Sequence, residues 1–188
     1  MGELKVLDIN TRSMFRKWLE ENSETVKECW IELKREKPSD SSFVYLDAVE
    51  EALCFGWIDS TYKKIGDKHY QRFSPRKKNS PWSELNKARA KRLIKLGLMT
   101  ERGLAYLPDL DSFEHNDDIV QALKANNCYD IFLSFPVLYQ RIRIGNILSK
   151  KNDLKAYNSS LENLIKYTKK NQMYGSWNDY GRLSDIEK

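Results

Sequence analysis

Lysine and arginine side chains are concentrated in one segment of this sequence, residues 62–95. The segment has twelve Lys or Arg and two acids, Asp67 and Glu84, so its formal charge is +10 and that of the rest of the chain is −5. Guanidinium and ammonium groups bind phosphate, and aromatic rings between them can stack on bases. The segment therefore predicts a basic, aromatic-bordered surface for a polyanion, such as nucleic acid or an acidic lipid or protein surface. The candidate residues are Arg72, Arg76, Lys77, Lys78, Lys87, Lys91 and Lys95.

The same segment allows a plainer interpretation. Charge-rich stretches are typical of a solvated face, with the neighbouring aromatic residues buried in the core. Lys87, Lys91 and Lys95 recur every four residues, which predicts a positive ridge along one helix. Such a ridge can face solvent or a partner, and both alternatives stay open.

A carboxylate at Asp59 suggests a second kind of chemistry. It falls in a predicted strand, where a carboxylate needs a partner, and Arg72 or Arg76 on the opposing strand could supply one. One interpretation is a structural ion pair that orients the hairpin. The other is a pocket for a small anionic ligand, because an Asp with two Arg can bind a small polar anion. The residues predicted to form that pocket with the arginines are Trp57, Asp59, Tyr62, Tyr70, Phe73 and Trp82.

Catalytic and metal motifs are absent from the sequence. Cys54, His69 and Asp59 could offer a thiol, a base and an orienting acid, but Cys54 ends the apolar face of a predicted helix, which favours burial. The cysteines show no CxxC spacing, and the two histidines, His69 and His115, complete no zinc motif. There is no P-loop, GxSxG or dinucleotide-binding glycine motif. We predict three reduced, buried thiols, no metal, no cofactor and no catalytic residues.

Hydrophobic periodicity predicts the elements that would position these residues. Spacings of three and four predict helices over 12–22 and 46–53, and alternation predicts a strand within 26–34. Residues 57–64 and 69–74 read as a hairpin with Gly66 at its turn. Ser80 and Pro81 then open a helix that stops at Gly97. The expected fold class is α+β, a small antiparallel β-sheet packed with helices and followed by a helical C-terminal region.

The second half of the chain reads as helical. An acidic stretch over 108–118 precedes helix candidates at 119–126, 129–135, 137–151 and 154–168. We therefore predict an α+β core domain over 1–107 and a helical region over 108–188 packed on it. The last residues are rich in aromatic side chains, which could dock on the domain or contact a second subunit. The sequence does not set the oligomeric state. The aromatic residues are Tyr167, Tyr174, Trp177 and Tyr180.

One run of residues, Glu51-Ala-Leu-Cys-Phe-Gly-Trp-Ile-Asp-Ser60, resembles the signature of the YdeI/OmpD-associated (bacteriocin-protection) family. The resemblance continues through Gln71–Lys77 and through scattered positions from Trp82 to Gly103. It implies a small α+β protein connected with envelope stress and with resistance to antimicrobial peptides or bacteriocins. The family brings no agreed enzymatic activity and no catalytic residues. The resemblance therefore favours a binding protein over an enzyme.

Targeting signals are also missing. Met1–Phe15 carries Glu3, Lys5, Asp8 and Arg12 within it and has no unbroken apolar run, so it does not read as a signal peptide. No stretch approaches the roughly 18 apolar residues that a membrane span needs. We predict a cytoplasmic protein without a membrane span.

Overall fold

The computed structural model describes residues 6–39, 42–114 and 116–184. Its contacts divide the chain into two compact units. The N-terminal unit comprises the chain up to Pro81 together with Arg89–Pro108, and the C-terminal unit comprises Trp82–Ala88 together with the chain from Asp109 onward. His115, considered above as a metal ligand, lies outside the described residues.

A four-stranded sheet forms the centre of the N-terminal unit. The strands are β1 (Val6–Leu7), β2 (Cys29–Glu32), β3 (Trp57–Ile65) and β4 (Lys68–Pro75), in the order β1-β2-β4-β3. The pairs β2–β4 and β3–β4 are antiparallel, whereas β1 runs parallel to β2, so the sheet is mixed. The predicted α+β class is confirmed. The parallel strand was not predicted, because two residues are too short to show an alternation.

Helices α1 (Arg12–Asn22), α2 (Tyr45–Cys54), α3 (Glu84–Lys95) and α4 (Glu101–Leu104) follow along the chain. The apolar stripe of α1 is buried, and Phe15 on it lies 5.4 Å from the Phe73 ring of β4. Helix α2 ends before Gly56, where φ is +70° and a Cβ would stand 2.6 Å from the Tyr106 ring. Only glycine accepts both a left-handed backbone conformation and so close a contact with the Tyr106 ring. Residues of α3 up to Ala88 belong to the C-terminal unit and the others to the N-terminal unit.

The C-terminal unit contains helices α5 (Asp117–Ala125), α6 (Tyr129–Ser134), α7 (Val137–Leu148) and α8 (Leu154–Lys169), followed by a short 3-10 turn, Asp179–Gly181. Its core includes Leu123, Phe132, Tyr139 and Leu164. Of the acidic stretch, Asp117 and Asp118 lie in the first turn of α5, where carboxylates favour the helix dipole. The helix boundaries agree closely with the predicted periodicities.

Among the described residues, no helix combines the length and the apolar character needed to cross a membrane. The same part of the chain has no group of three His, Cys, Asp or Glu side chains arranged to hold a metal ion.

Candidate functional site

Asp59 is positioned by the start of helix α2. The Tyr45 hydroxyl, in the first turn of that helix, donates a 2.7 Å hydrogen bond to Asp59 Oδ2. Burial raises the pKa of Tyr45, and the negative charge of Asp59 raises it further, whereas the positive charges of Arg89 and Arg35 act in the opposite direction. Tyr45 therefore stays a neutral donor to a carboxylate, with two arginines nearby.

Arg76, directly after β4, is 5% exposed. Its Nη1 donates to Ser80 Oγ and to the Pro81 carbonyl, both at 3.0 Å, and these contacts fix its position. Burial lowers the pKa of Arg76, and the nearby charge of Asp59 opposes that effect without cancelling it. Arg76 is thus a buried cation held by Ser80 and Pro81 close to the charge of Asp59.

A third arginine, Arg35, lies over two tyrosine rings. Its Cζ is 4.3 Å from the centre of the Tyr45 ring and 4.8 Å from that of Tyr62, and its Nη2 donates to Gln71 Oε1 at 2.9 Å. These contacts use the faces of the rings, which favour a cation. We name Arg35, Tyr45, Asp59, Tyr62, Arg76 and Arg89 the Tyr45 cluster. Tyr45 joins its members: Arg35 lies over the Tyr45 ring, the Tyr45 hydroxyl donates to Asp59, and the charge of Asp59 acts on Arg76.

Arg72 does not join this cluster. Residues that pair directly across two strands share a side of the sheet, and Asp59 pairs with Phe73. Arg72, the neighbour of Phe73, therefore points to the opposite side, where its Nε donates to Glu28 Oε2 at 2.9 Å. That bond is the main reason that the pKa of Glu28 is lowered. Of the two arginines proposed as partners of Asp59, the structure brings only Arg76 to it.

The other residues of the predicted pocket are spread over several places. Trp57 and Phe73 are completely buried, and Trp57 Nε1 donates to the Ser23 carbonyl at 3.1 Å, so both belong to the core. Tyr70 lines a different cavity, of about 630 Å³, beside β1 and β2. Trp82 belongs to the C-terminal unit. Tyr62, whose hydroxyl contacts His69 Nδ1, remains in the Tyr45 cluster.

The residues of the predicted polyanion surface also have different environments. Lys77 and Lys78 are exposed in the loop after β4. Lys87 belongs to the C-terminal unit, where its Nζ lies 2.8 Å from Glu84 Oε1 and donates to the Ser112 carbonyl at 2.9 Å. Lys91 and Lys95, in the N-terminal unit, also have partners. The ridge expected along α3 is therefore divided between the two units, and its first lysine is neutralised.

Sequence reasoning missed a charged network on α2. Glu50 and Glu51 are 1% and 2% exposed. Arg12 reaches both, with Nη1–Oε2 at 2.8 Å to Glu50 and Nε–Oε1 at 2.6 Å to Glu51. Arg16 adds a 2.9 Å contact to Glu51, and Arg92 adds one of the same length to Glu50. The sequence signal that could have indicated this network is the position of the two adjacent acids, which stand between Val49 and Ala52. Val49 and Ala52 themselves belong to the apolar face of α2.

The charges in this network offset one another. Burial by itself would lower the pKa of Arg12, but the charges and hydrogen bonds of Glu51 and Glu50 outweigh burial and raise it. Every member has a counter-charge from the protein, which makes the network structural.

The cysteines do not form a nucleophilic site. All three are free and buried, as predicted. Burial is the largest cause that raises the pKa of Cys29 and of Cys54 to about 12, so both thiols stay protonated near neutral pH. His69, the base considered for Cys54, contacts the Tyr62 hydroxyl and stacks on the Tyr62 ring.

Comparison with known proteins identifies one family. The model described as "Domain of unknown function (DUF8412)" matches residues 7–106, a range that contains all six residues of the Tyr45 cluster. No curated protein and no solved structure matches the chain significantly.

Proposed function

The chain belongs to the DUF8412 family, whose function is unknown, and we propose that it is a non-enzymatic binding protein with a site for a small anionic ligand at the Tyr45 cluster. The observation that carries the proposal is the environment of Arg76. This residue is 5% exposed, its Nη1 donates to the neutral acceptors Ser80 Oγ and the Pro81 carbonyl, and the charge of Asp59 is nearby. A bound anion would add a charge-assisted acceptor to this fixed guanidinium.

The arrangement favours a carboxylate or a phosphate group as the ligand. Guanidinium groups present a planar fork of donors that matches either group. Arg76 and Arg35 have fixed positions, since Ser80 and Pro81 hold the first and the Tyr45 and Tyr62 rings hold the second. Positions that are fixed before binding reduce the loss of entropy on association.

The test is a thermal-shift screen of the full chain against a panel of small acidic metabolites. A ligand that binds the folded chain stabilises it by about 2.7 kcal/mol at a hundred times its Kd. We expect at least one acidic compound to raise the Tm of the wild type and of Arg72→Lys, the matched control, whose arginine pairs with Glu28 outside the cluster. We expect Arg76→Lys to lose the shift, because an ammonium has no fork of donors. A panel without a shift, or an equal shift in Arg76→Lys, would contradict the proposal.

A second candidate function is polyanion binding by exposed lysines. Lys63 and Lys64 near the hairpin turn and Lys77 and Lys78 after β4 are exposed. Four lysines that each neutralise one phosphate give a log–log salt slope of about −3.6 on duplex DNA. Charge reversal of Lys77 and Lys78 should weaken binding to heparin or DNA and leave the melting temperature nearly unchanged. Absence of binding at low salt excludes this candidate.

We also propose a cytoplasmic location, which the three free, buried thiols support because cytosolic proteins keep cysteines reduced. A part in envelope or antimicrobial stress resistance is proposed from the resemblance to the YdeI/OmpD-associated family alone.

A further inference from the structure

A second arginine in an unusual environment lies in the C-terminal unit. Arg143, in the middle of helix α7, is 8% exposed. Its Nε is buried with no hydrogen-bond partner, and no carboxylate of the described residues pairs with its guanidinium. A buried guanidinium normally has a counter-charge or several acceptors. Arg141, two residues earlier, follows that rule, with Nη2 at 2.8 Å from Glu84 Oε2.

Aromatic rings take the place of a carboxylate around Arg143. Its Cζ lies 4.4 Å from the centre of the Tyr174 ring and 5.1 Å from that of Tyr139. The Tyr167 ring stacks behind Tyr174 at 4.7 Å, and Trp177 lies edge-on to Tyr139 at 5.7 Å. Ring faces attract a cation but offer no acceptor in the plane of the guanidinium. The rings therefore hold Arg143 in place and leave its Nε–H donor without an acceptor. In this way Tyr167, Tyr174 and Trp177 dock within the chain.

The absence of a side chain at Gly175 leaves room for the Arg143 guanidinium. At this residue φ is +73°, and a Cβ built there would stand 2.9 Å from Nη2 and 3.2 Å from Nη1 of Arg143. Any other residue would displace the guanidinium and strain the backbone. The segment after α8, which we call the tail, thus passes close to the terminal nitrogens of Arg143, and glycine is the residue that permits this close contact.

The hydroxyl of Tyr139, whose ring contacts Arg143, belongs to the same region. The Tyr139 hydroxyl is buried without a hydrogen bond of good geometry, although the Tyr174 backbone lies near it. Burial raises the pKa of Tyr139, and the charge of Arg143 opposes the effect. The Arg143 Nε–H and the Tyr139 hydroxyl can each donate a hydrogen bond, so a negatively charged acceptor would suit both groups.

We infer that the region around Arg143, Tyr139 and Gly175 is a second anion site, which takes the oxyanion group of a small phosphate or carboxylate compound. Such a group would accept from the guanidinium and supply its missing counter-charge. The 8% exposure of Arg143 leaves it within reach of solvent. This site uses residues of the C-terminal unit alone and does not rest on the function proposed for the Tyr45 cluster.

The experiment follows the arginine Nε–H signals of the ¹⁵N-labelled full chain by NMR while inorganic phosphate or acetate is added. The Arg143 signal is assigned by its absence in Arg143→Lys. We expect it to shift saturably with at least one of the two anions, and the preferred anion identifies the ligand class. Calorimetry with that anion should show affinity about tenfold weaker in Arg143→Lys, from the loss of a charge-assisted hydrogen bond.

Two controls separate the possible outcomes. Arg141→Lys should keep the affinity of the wild type, because that arginine already pairs with Glu84. Arg76→Lys should keep the response of the Arg143 signal, so failure of the Tyr45 cluster and failure of this site are distinguishable. An Arg143 signal that moves with neither anion overturns the inference. So does an Arg141→Lys variant that weakens binding as much as Arg143→Lys does.

Discussion

The two units of this protein surround their arginines differently. In the N-terminal unit, Arg12 contacts the buried carboxylates of Glu50 and Glu51 at 2.8 and 2.6 Å. In the C-terminal unit, Arg143 is 8% exposed and contacts tyrosine rings instead. A cation that buried carboxylates neutralise stabilises the fold, whereas a buried cation that meets rings retains a donor for a ligand. The Tyr45 cluster lies between these cases, with Asp59 as a partial counter-charge for Arg76.

The largest expected effect is the loss of a buried carboxylate. Glu50→Gln removes the buried charge that pairs with Arg12 and Arg92, whose side chains are 34% and 24% exposed, so we expect a loss near the lower end of the cost of breaking a buried pair, about 3 kcal/mol. Urea unfolding measures this loss. Glu20→Gln is the control, because the Glu20 side chain is 54% exposed and its pair with Arg16 should contribute less than about 1 kcal/mol. Equal losses in the two variants would show that the network on α2 is not structural.

A glycine pair tests whether the tail is fitted to Arg143. Gly175→Ala and Gly66→Ala both place a side chain at positive φ, but only the first meets other atoms, those of Arg143. The left-handed backbone costs about 1 kcal/mol in either variant. We expect Gly175→Ala to lose about 1 kcal/mol more, since the guanidinium must move out of its low-energy position. Equal unfolding free energies would mean that Arg143 adapts freely.

Alkaline pH should destabilise the N-terminal unit through its thiols. The folded pKa values of Cys29 and Cys54 are about 12 against a usual 9.0, so the folded chain retains protons that the unfolded chain loses. This contribution to stability is complete well below pH 9 and is lost as the pH rises towards 12, by roughly 1 kcal/mol per thiol at pH 10. Urea unfolding at several pH values measures the decline. Cys29→Ala should flatten it relative to wild type, and an unchanged slope would refute the assignment.

The smallest expected effect is that of neutralising Arg143. Arg143→Met removes a buried charge that has no carboxylate partner, so the loss of ring contacts and the relief of desolvation nearly cancel, within about 1 kcal/mol. Arg12→Met is the comparison and should destabilise the chain by about 2 kcal/mol, because the buried Glu50 and Glu51 each lose one of their two arginine partners. Urea unfolding without added anions compares both. A cost for Arg143→Met equal to that for Arg12→Met would remove the distinction between the units.

Sequence reasoning located the elements better than it located the sites. The hairpin and its turn at Gly66 were predicted because strand alternation and turn glycines are local signals. Arg72 is kept from Asp59 by the side of the sheet that each residue occupies, whereas the charge of Asp59 acts on Arg76. That side is set by strand register and by the bulge between Asp59 and Tyr62. Neither can be read from the order of residues.

Composition and periodicity by themselves determined the α+β class, the helices and the burial of the cysteines, because each follows from short-range spacing of apolar residues. The tertiary structure decided which charges are neutralised. Arg12 and Glu50 are 38 residues apart, and Arg143 and Tyr174 are separated by the whole of α8. A charge has a fixed sign in the sequence, but its counter-charge and its access to water depend on packing between distant segments. For that reason the positive segment 62–95 was evident from the sequence, while its division between core, pairs and exposed loop was not.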